Sequence, residues 1–420
     1  MQSNTICGCP DIDKYLLYFL DIESISNIII LSKNQYYTLH DQQFIKELYQ
    51  LKKQAPITLS NIIYYACKYN YLSIIQWVDD SINNFIYCDT AINVACEYGN
   101  IEILEWFDKS CHNFLYSINA INWAAEFRQI KILEWFDKSI YEFKYDRDAI
   151  NHASRNGYIE ILDWFDKSRH KFIYNQWAID FASSNGNVEV LKWFHNSRHK
   201  FLYTGNAINN AAKNGHINIL DWFYESPYDF SYNIYALVGA ARNGHIGILE
   251  WFHYSPYVFI NSGEAINDAA ENGHVVVLEW FHNSEYEFLY SSDAVNGAAK
   301  NGHIKILEWF HKSEYEFLYT SDAIDYAAQN ERIEILEWFY KSGYEFKYTD
   351  IAIWSAYENN CVKVLEWFYK SGYKIKYPDD DIVTNKIIEW EKKCNIRDTG
   401  IASKIFYLVC LHTLLIFLLK

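Results

Sequence analysis

The sequence lacks the excess of basic residues that proteins use to bind nucleic acid. Lysine and arginine number 37 and aspartate and glutamate number 53 in 420 residues, so the formal net charge is −16. A nucleic-acid-binding protein needs a basic face that displaces counterions from the phosphate backbone. The charge balance therefore predicts that the chain does not bind nucleic acid.

The sequence also lacks the patterns of a disulfide framework and of a catalytic site. Its nine cysteines are odd in number and irregularly spaced, and no secretory leader precedes them, so we expect a reduced, intracellular chain. Cys7 and Cys9 have no second Cys or His pair at the distance that a zinc site requires. No phosphate-cradling glycine loop, metalloprotease helix or nucleophile elbow occurs. We therefore expect a protein that is not an enzyme and needs no metal or cofactor.

What the sequence does contain is a repeat of 29 residues. Its tryptophan recurs at that interval, without insertion or deletion, at Trp77, Trp106, Trp135, Trp164, Trp193, Trp222, Trp251, Trp280, Trp309, Trp338 and Trp367. A fixed period of roughly 20–50 residues is typical of a stacked repeat array. Half of the residues are hydrophobic, which is enough for a continuous core. We predict an all-α solenoid of eleven helix-turn-helix repeats over residues 60–378.

Each repeat is predicted to hold two helices of different character. In one copy the first helix carries Ala298 and Ala299, small residues that let neighbouring helices approach closely, and Gly302 ends it in the left-handed conformation. The second helix, 304–312, is apolar on nearly all sides, so neighbours must cover several of them. The recurring aromatic residues that follow it, such as Phe317, are expected to pack on the helices of the next repeat.

Three further sets of recurring residues are predicted to be structural. Cys67 and Cys96 stand where other repeats carry alanine, which predicts two small buried thiols. The first helix holds a column of asparagines, which we expect to form a hydrogen-bonded ladder between helices: Asn93, Asn122, Asn151, Asn209, Asn267 and Asn296. Histidines recur at the ends of the second helices, and two on one helix lie about 12 Å apart, too far to share a metal ion. We expect these histidines to satisfy local backbone groups.

The segment DAVNGAAKNGHIKILEWF, residues 293–310, resembles the two helices of the ankyrin repeat. The resemblance covers about residues 60–378 and is greatest to the ankyrin-type arrays encoded by giant viruses of amoebae. It implies an α-solenoid that binds other proteins. The period is shorter than the usual ankyrin period of about 33 residues, which implies a shortened hairpin finger between repeats. The Thr-Pro-Leu-His motif of the family is replaced by Asp322-Ala323-Ile324-Asp325 or similar residues.

Residues 1–55 precede the repeats and are predicted to form a small helical bundle. The segment resembles the F-box, which docks substrate receptors onto the adaptor subunit of cullin-RING ubiquitin ligases. The resemblance implies that the following residues dock the adaptor: Pro10, Leu16, Leu17, Leu20 and Ile28. The alternative is a helical cap that seals the first repeat.

Two segments follow the repeats. Residues 379–394 combine an acidic start with an amphipathic pattern and predict a C-terminal capping helix. Residues 395–420 are predicted to be a linker and a hydrophobic tail. A helix over 405–419 would reach about 22 Å, whereas the hydrocarbon core of a bilayer is about 30 Å thick. Three alternatives remain for this tail: a short membrane anchor, a helix packed on the final repeats, and a weakly ordered end.

One column near the exposed end of the first helix varies while the rest of the repeat stays constant. The ankyrin resemblance implies that it contacts partners, and we take these members as candidate partner-binding residues: Glu97, Glu126, Arg155, Lys213, Arg242, Glu271, Lys300 and Gln329. The alternative is a solvated column that is free to vary.

From these features we expect a non-enzymatic protein–protein interaction platform in the cytoplasm of a host cell, and more specifically a substrate receptor of a host cullin-RING ubiquitin ligase. The alternative is a purely structural scaffold or decoy whose N-terminus is only a cap.

Overall fold

The computed structural model describes residues 59–81, 85, 87–359 and 361–373. Within these ranges the chain forms 22 α-helices and no β-strand, so the predicted all-α class is confirmed there. The predicted helical bundle (1–55), the predicted capping helix (379–394) and the predicted linker and hydrophobic tail (395–420) lie outside the described residues. The adaptor-docking candidates lie outside them as well: Pro10, Leu16, Leu17, Leu20 and Ile28.

The helices alternate between a first and a second helix of each repeat. The first helices are Leu59–Lys68, Asp89–Glu97, Asn119–Glu126, Arg147–Arg155, Trp177–Ser184, Gly205–Lys213, Ile234–Arg242, Gly263–Glu271, Ser292–Asn301, Asp322–Gln329 and Asp350–Glu358. The second helices are Leu72–Ser81, Ile101–Lys109, Ile130–Lys138, Ile159–Lys167, Val188–Asn196, Ile217–Glu225, Ile246–Tyr254, Val275–Asn283, Ile304–Lys312, Ile333–Ser342 and Val362–Ser371. The predicted bounds of the second helix, 304–312, are confirmed.

The chain divides into two compact units. Unit 1 comprises Met1–Ile208 and Asp221–Tyr228, and unit 2 comprises Asn209–Leu220 and Asp229–Lys420, each as far as its residues are described. Within each unit a first helix contacts its own second helix and the first helix of the next repeat. Consecutive helices therefore pack in a solenoid-like way inside each unit, as the period predicts.

The core of each unit is built from the small residues of the first helices and the branched and aromatic residues of the second helices. In unit 2, Ala298 and Ala299 are completely buried, and so are Ile306 and Leu307. Trp309 remains partly exposed at the outer side of its helix. Its neighbours there are aromatic rings, so the second helix is covered on more than one side, as its apolar character predicts.

The aromatic residues between repeats stack on the next repeat, which confirms the expectation for Phe317. Its ring lies parallel to Tyr344 (centroids 4.2 Å apart, 16° between planes) and to Trp338 (5.5 Å, 23°). Tyr319 packs against the buried Phe339 at 5.3 Å and donates its hydroxyl to the carbonyl of Glu345 at 2.5 Å. Stacked and edge-on aromatic pairs add about 0.5–1.5 kcal/mol beyond their burial, so this segment ties adjacent repeats together.

The asparagines form the predicted hydrogen bonds between repeats, and each partner lies at the start of the next first helix. Asn296 donates from Nδ2 to Thr320 Oγ1 at 2.8 Å, and its Oδ1 accepts from the Thr320 backbone N–H at 3.1 Å. Thr320 Oγ1 in turn accepts from the backbone N–H of Asp322, the first residue of the next helix, at 3.2 Å. The buried amide is thus satisfied by a residue 24 positions later, just before the next first helix.

Two smaller predictions are confirmed as well. Gly302 ends its helix at φ +85°, in the left-handed region, and Arg128 and Glu331 hold the same conformation at φ +64° and +56°. Cys67 and Cys96 are completely buried free thiols, and burial raises the pKa of both well above the usual value.

Candidate interaction surface

The candidate partner-binding residues lie on the solvent side of the first helices, near their C-terminal ends. Arg155, Lys213, Arg242, Lys300 and Gln329 are exposed, whereas the three acidic members are half-buried: Glu97, Glu126 and Glu271. Burial raises the pKa of Glu97, although Lys68 nearby lowers it. Exposure of this column agrees with a binding role and equally with solvated residues.

Members of the column contact the residue 26 positions later, in the next first helix. In unit 2, Arg242 Nη2 lies 2.8 Å from Asp268 Oδ2. In unit 1, Glu126 Oε2 lies 3.1 Å from His152 Nδ1. The side chains of Arg242 and Glu126 are therefore held by the neighbouring repeat, which fixes how they are presented to solvent.

In some repeats glycine stands 26 positions after the column residue, and the side chain of the column residue then has room to lie over it. A Cβ added at Gly239 would lie 2.8 Å from Lys213 Cβ, and one added at Gly297 would lie 2.8 Å from Glu271 Cβ. The long side chains of Lys213 and Glu271 thus lie against bare helix backbone. The size of the later residue decides how close the two helices' surfaces come.

The backbone carbonyls of the same column have a constant structural role. In unit 1, Arg155 O accepts from Asn187 Nδ2 at 2.7 Å and from Asn185 Nδ2 at 3.0 Å. Glu97 O accepts from Gln129 Nε2 at 3.1 Å. The next repeat thereby satisfies carbonyls that the end of a helix leaves without partners. Because the carbonyl makes these bonds, the side chain of the column is free to vary.

A second variable column, three residues earlier on the first helix, was missed by the sequence reasoning. It contains Val94, Trp123, His152, Phe181, Asn210, Gly239, Asp268, Gly297, Tyr326 and Ser355. It lies between the constant alanine column and the asparagine or aspartate column, which in these repeats only Val238 and Trp354 interrupt, so the contrast with its neighbours is a signal that the sequence carries. We call the two variable columns together the first-helix face.

The first-helix face carries different chemistry in different repeats of each unit. In unit 1 it includes the aromatic residues Trp123 and Phe181, with Phe127 (46% exposed) and Trp177 (44%) beside them. In unit 2, Gly239 and Gly297 leave it flat at some repeats, and Tyr326 (39% exposed) projects at another. A constant frame thus presents side chains of different size and charge.

Shallow grooves also lie between consecutive second helices. One, in unit 2, has Ile304, Glu308, Trp338 and Lys341 in its walls, and one in unit 1 has Ile159, Asp166 and Trp193 at related positions. Trp193 donates from Nε1 to Asp163 Oδ1 at 2.7 Å. Because grooves of this kind recur from repeat to repeat, they follow from the stacking of the helices.

The recurring histidines have partners in a neighbouring repeat, which corrects the expectation of local backbone partners. His253 Nδ1 lies 3.1 Å from the hydroxyl of Tyr286, and His282 Nδ1 lies 3.1 Å from that of Tyr315. The ring of His303 hydrogen-bonds to the backbone of Glu271 in the preceding repeat. Among the residues that the structure describes, no group of three or more side chains could hold a metal ion.

The histidines that begin the second helices of unit 2 form a row that should respond to pH. Burial lowers the pKa of His245, and the neighbouring His216 and His274 lower it further. The unfolded chain therefore binds a proton more readily at this position than the folded chain does. The contribution of His245 to the free energy of unfolding is therefore fully present above the usual histidine pKa near 6.5 and is lost as the pH falls below it.

His245→Asn should reduce this acid sensitivity, because the equivalent Asn187 makes the carbonyl bond without a titrating group. We expect a smaller acceleration of hydrogen exchange in helix Ile246–Tyr254 between pH 7.5 and 5.5 for the variant than for the parent chain. Tyr254→Asn, in the same helix and 82% exposed, is the control. Equal acceleration in the variant and the parent would contradict the assignment.

Neither a protein-family model nor a curated protein matches the chain. An interpretation of the first-helix face therefore depends on its own geometry. Among the helices of the described ranges, none combines the length and the apolar character needed to cross a membrane. The hydrophobic tail, 405–419, lies outside those ranges.

Proposed function

We propose that the chain is a non-enzymatic platform that binds other proteins through the first-helix face, and that its repeats form an ankyrin-like array of eleven units with shortened fingers. The observation that carries this proposal is the alternation of constant and variable columns on one helix. Asn122 and Ala124 belong to columns that stay nearly constant, whereas Trp123 between them belongs to a column that ranges from glycine to tryptophan. Variation at half-buried and exposed positions of a fixed frame favours recognition, although Val94, Gly239 and Ser355 in this column are buried.

The residue types on the face support the same proposal. Residues that dominate the binding energy of protein interfaces are enriched in Trp, Tyr and Arg. Trp123, Phe181 and Tyr326 stand in this face; the first two are half-buried and Tyr326 is 39% exposed. A large exposed aromatic side chain is costly to solubility unless a partner covers it.

The test is capture of partners from host-cell extract by the full chain and by variants. Trp123→Ser and Phe181→Gly each introduce a residue that other repeats already carry at that column, so the frame should stay folded. We expect both variants to lose proteins that the parent chain captures. Tyr254→Ser, on a second helix, is the matched control and should capture the same proteins as the parent.

The platform proposal would be contradicted if the parent chain captured no protein, or if the two face variants captured every protein that the parent captures. Those outcomes would favour a purely structural scaffold or decoy.

A more specific form of the proposal makes the chain a substrate receptor of a host cullin-RING ubiquitin ligase in the cytoplasm. It is supported by the F-box resemblance of residues 1–55. Leu16→Ala combined with Leu20→Ala should abolish capture of the ligase adaptor, while circular dichroism shows an unchanged array. If the parent chain captures no adaptor, the N-terminal segment is better explained as a cap, and the platform proposal stands by itself.

A further inference from the structure

Arg147 and Arg155 differ from the other arginines in the ranges that the structure describes. The other five bind a carboxylate or a carbonyl, in the pairs Arg128–Glu160, Arg169–Asp137, Arg198–Asp166, Arg242–Asp268 and Arg332–Lys300 O. Arg147 lies over the ring of Trp177 instead, with Cζ 5.7 Å from the ring centroid. Arg155 lies over Phe181 at 5.9 Å. Neither guanidinium forms an ion pair with a described residue.

The two arginines and the two rings form one cluster in unit 1. Arg147 is the first residue of its helix and Arg155 the last, so about 12 Å of helix axis separates them. Trp177 begins the next first helix and Phe181 follows one turn later, with the two rings stacked at 5.9 Å and 29°. The guanidiniums therefore lie near the two ends of a stacked aromatic pair. We call these four residues the arginine–aromatic cluster.

Stacking on a ring prepares a guanidinium for binding an anion. The ring restricts the plane of the group and leaves its N–H donors available along the edge, where they match the two oxygens of a carboxylate. Both arginines and Trp177 are exposed, so these donors are accessible. Such a group without an acidic partner is unusual in a chain whose acidic residues outnumber its basic residues by 53 to 37.

We propose that the arginine–aromatic cluster binds an acidic segment of a partner protein. Two carboxylates of that segment contact the two guanidiniums, and an apolar side chain between them covers Trp177 and Phe181. At about 3.3 Å per residue, a separation of about 12 Å corresponds to some four residues of extended chain. This inference rests on the proposed platform function and adds the chemistry of the partner at one site.

To test this, peptides from a random 12-residue library are selected for binding to the full-length chain. We expect the enriched peptides to contain two Asp or Glu residues about four positions apart with an apolar residue between them. An enriched peptide, labelled with fluorescein, should bind the Arg147→Gln/Arg155→Gln double variant at least tenfold more weakly than the parent. Its affinity should also fall as the salt concentration rises, because exposed charges are screened.

Two variants separate recognition from folding and from net charge. Arg169→Gln with Arg198→Gln removes the same two charges from ion-paired sites outside the first-helix face and should change the affinity less than twofold. Arg147→Lys with Arg155→Lys keeps the charge but loses the planar fork, and should bind more weakly than the parent.

Failure to enrich any peptide, enrichment without an acidic excess, or equal binding to the double glutamine variant each overturns the proposal. If host-cell capture depends on Trp123 but not on the two arginines, the platform function stands and the acidic partner is wrong.

Discussion

Replacing Phe310 by alanine should lower the free energy of unfolding of unit 2 by about 3–5 kcal/mol. The side chain is 1% exposed, and the rings of Phe288, Tyr290 and Trp309 lie around it. Truncation removes apolar surface from the core and leaves a cavity where two repeats meet. Urea denaturation followed by circular dichroism measures the loss.

The substitution should also destabilise some helices of unit 2 more than others. Because repeats couple mainly to their neighbours, hydrogen exchange should accelerate most in the helices of unit 2 that border Phe310. Val258→Ala, in the same unit and 74% exposed, is the control and should change stability by less than about 0.5 kcal/mol. Similar effects for both substitutions would mean that the assignment of Phe310 to the core is wrong.

Gly273→Ala should destabilise unit 2 by about 2–4 kcal/mol, from two separate causes. Gly273 has φ +79°, which costs an alanine roughly 1–2 kcal/mol. The added Cβ would also lie 2.7 Å from His303 Nδ1 in the next repeat, so one of the two groups must move. Thermal and urea denaturation of the variant report the sum of the two effects.

Gly343→Ala separates those causes. Gly343 has φ +82°, but no heavy atom lies within 4 Å of where its Cβ would be. This substitution should cost only the backbone term, about 1–2 kcal/mol. Gly273→Ala combined with His303→Ala should lower the free energy of unfolding by less than the sum of the two single substitutions, because the second substitution removes the close contact. If the two glycine substitutions cost the same, the contact with His303 contributes nothing.

The sequence predicted those parts of the fold that depend on local pattern. The apolar spacing of 304–312 predicted that second helix, and Gly302 predicted the end of the helix before it, because each depends on residues within one repeat. The partner of Asn296 was not predictable to the same degree. A buried amide was known to need a partner, but Thr320 became identifiable only when the separation of adjacent helices was fixed in space.

The same limit applies to the candidate surface. Variation at the ends of the first helices marked Arg155 and Arg242 as equivalent positions. The structure shows that Arg242 is neutralised by Asp268, whereas Arg155 lies over Phe181 without an acidic partner. That difference depends on which residue stands 26 positions later, an offset that emerges from how neighbouring first helices are staggered.

The constancy of these offsets has a consequence for how the chain can change in length. The hydrogen bond from the buried asparagine spans 24 residues in Asn296–Thr320, and the histidine–tyrosine contact spans 33 in His253–Tyr286. Each bond joins only adjacent repeats and recurs with the same offset elsewhere in its unit. Duplication or loss of a 29-codon block by recombination therefore recreates the same junction on both sides. The coding sequence can therefore gain or lose whole repeats. Natural selection can then alter the first-helix face of a new copy without changing the residues that bond it to its neighbours.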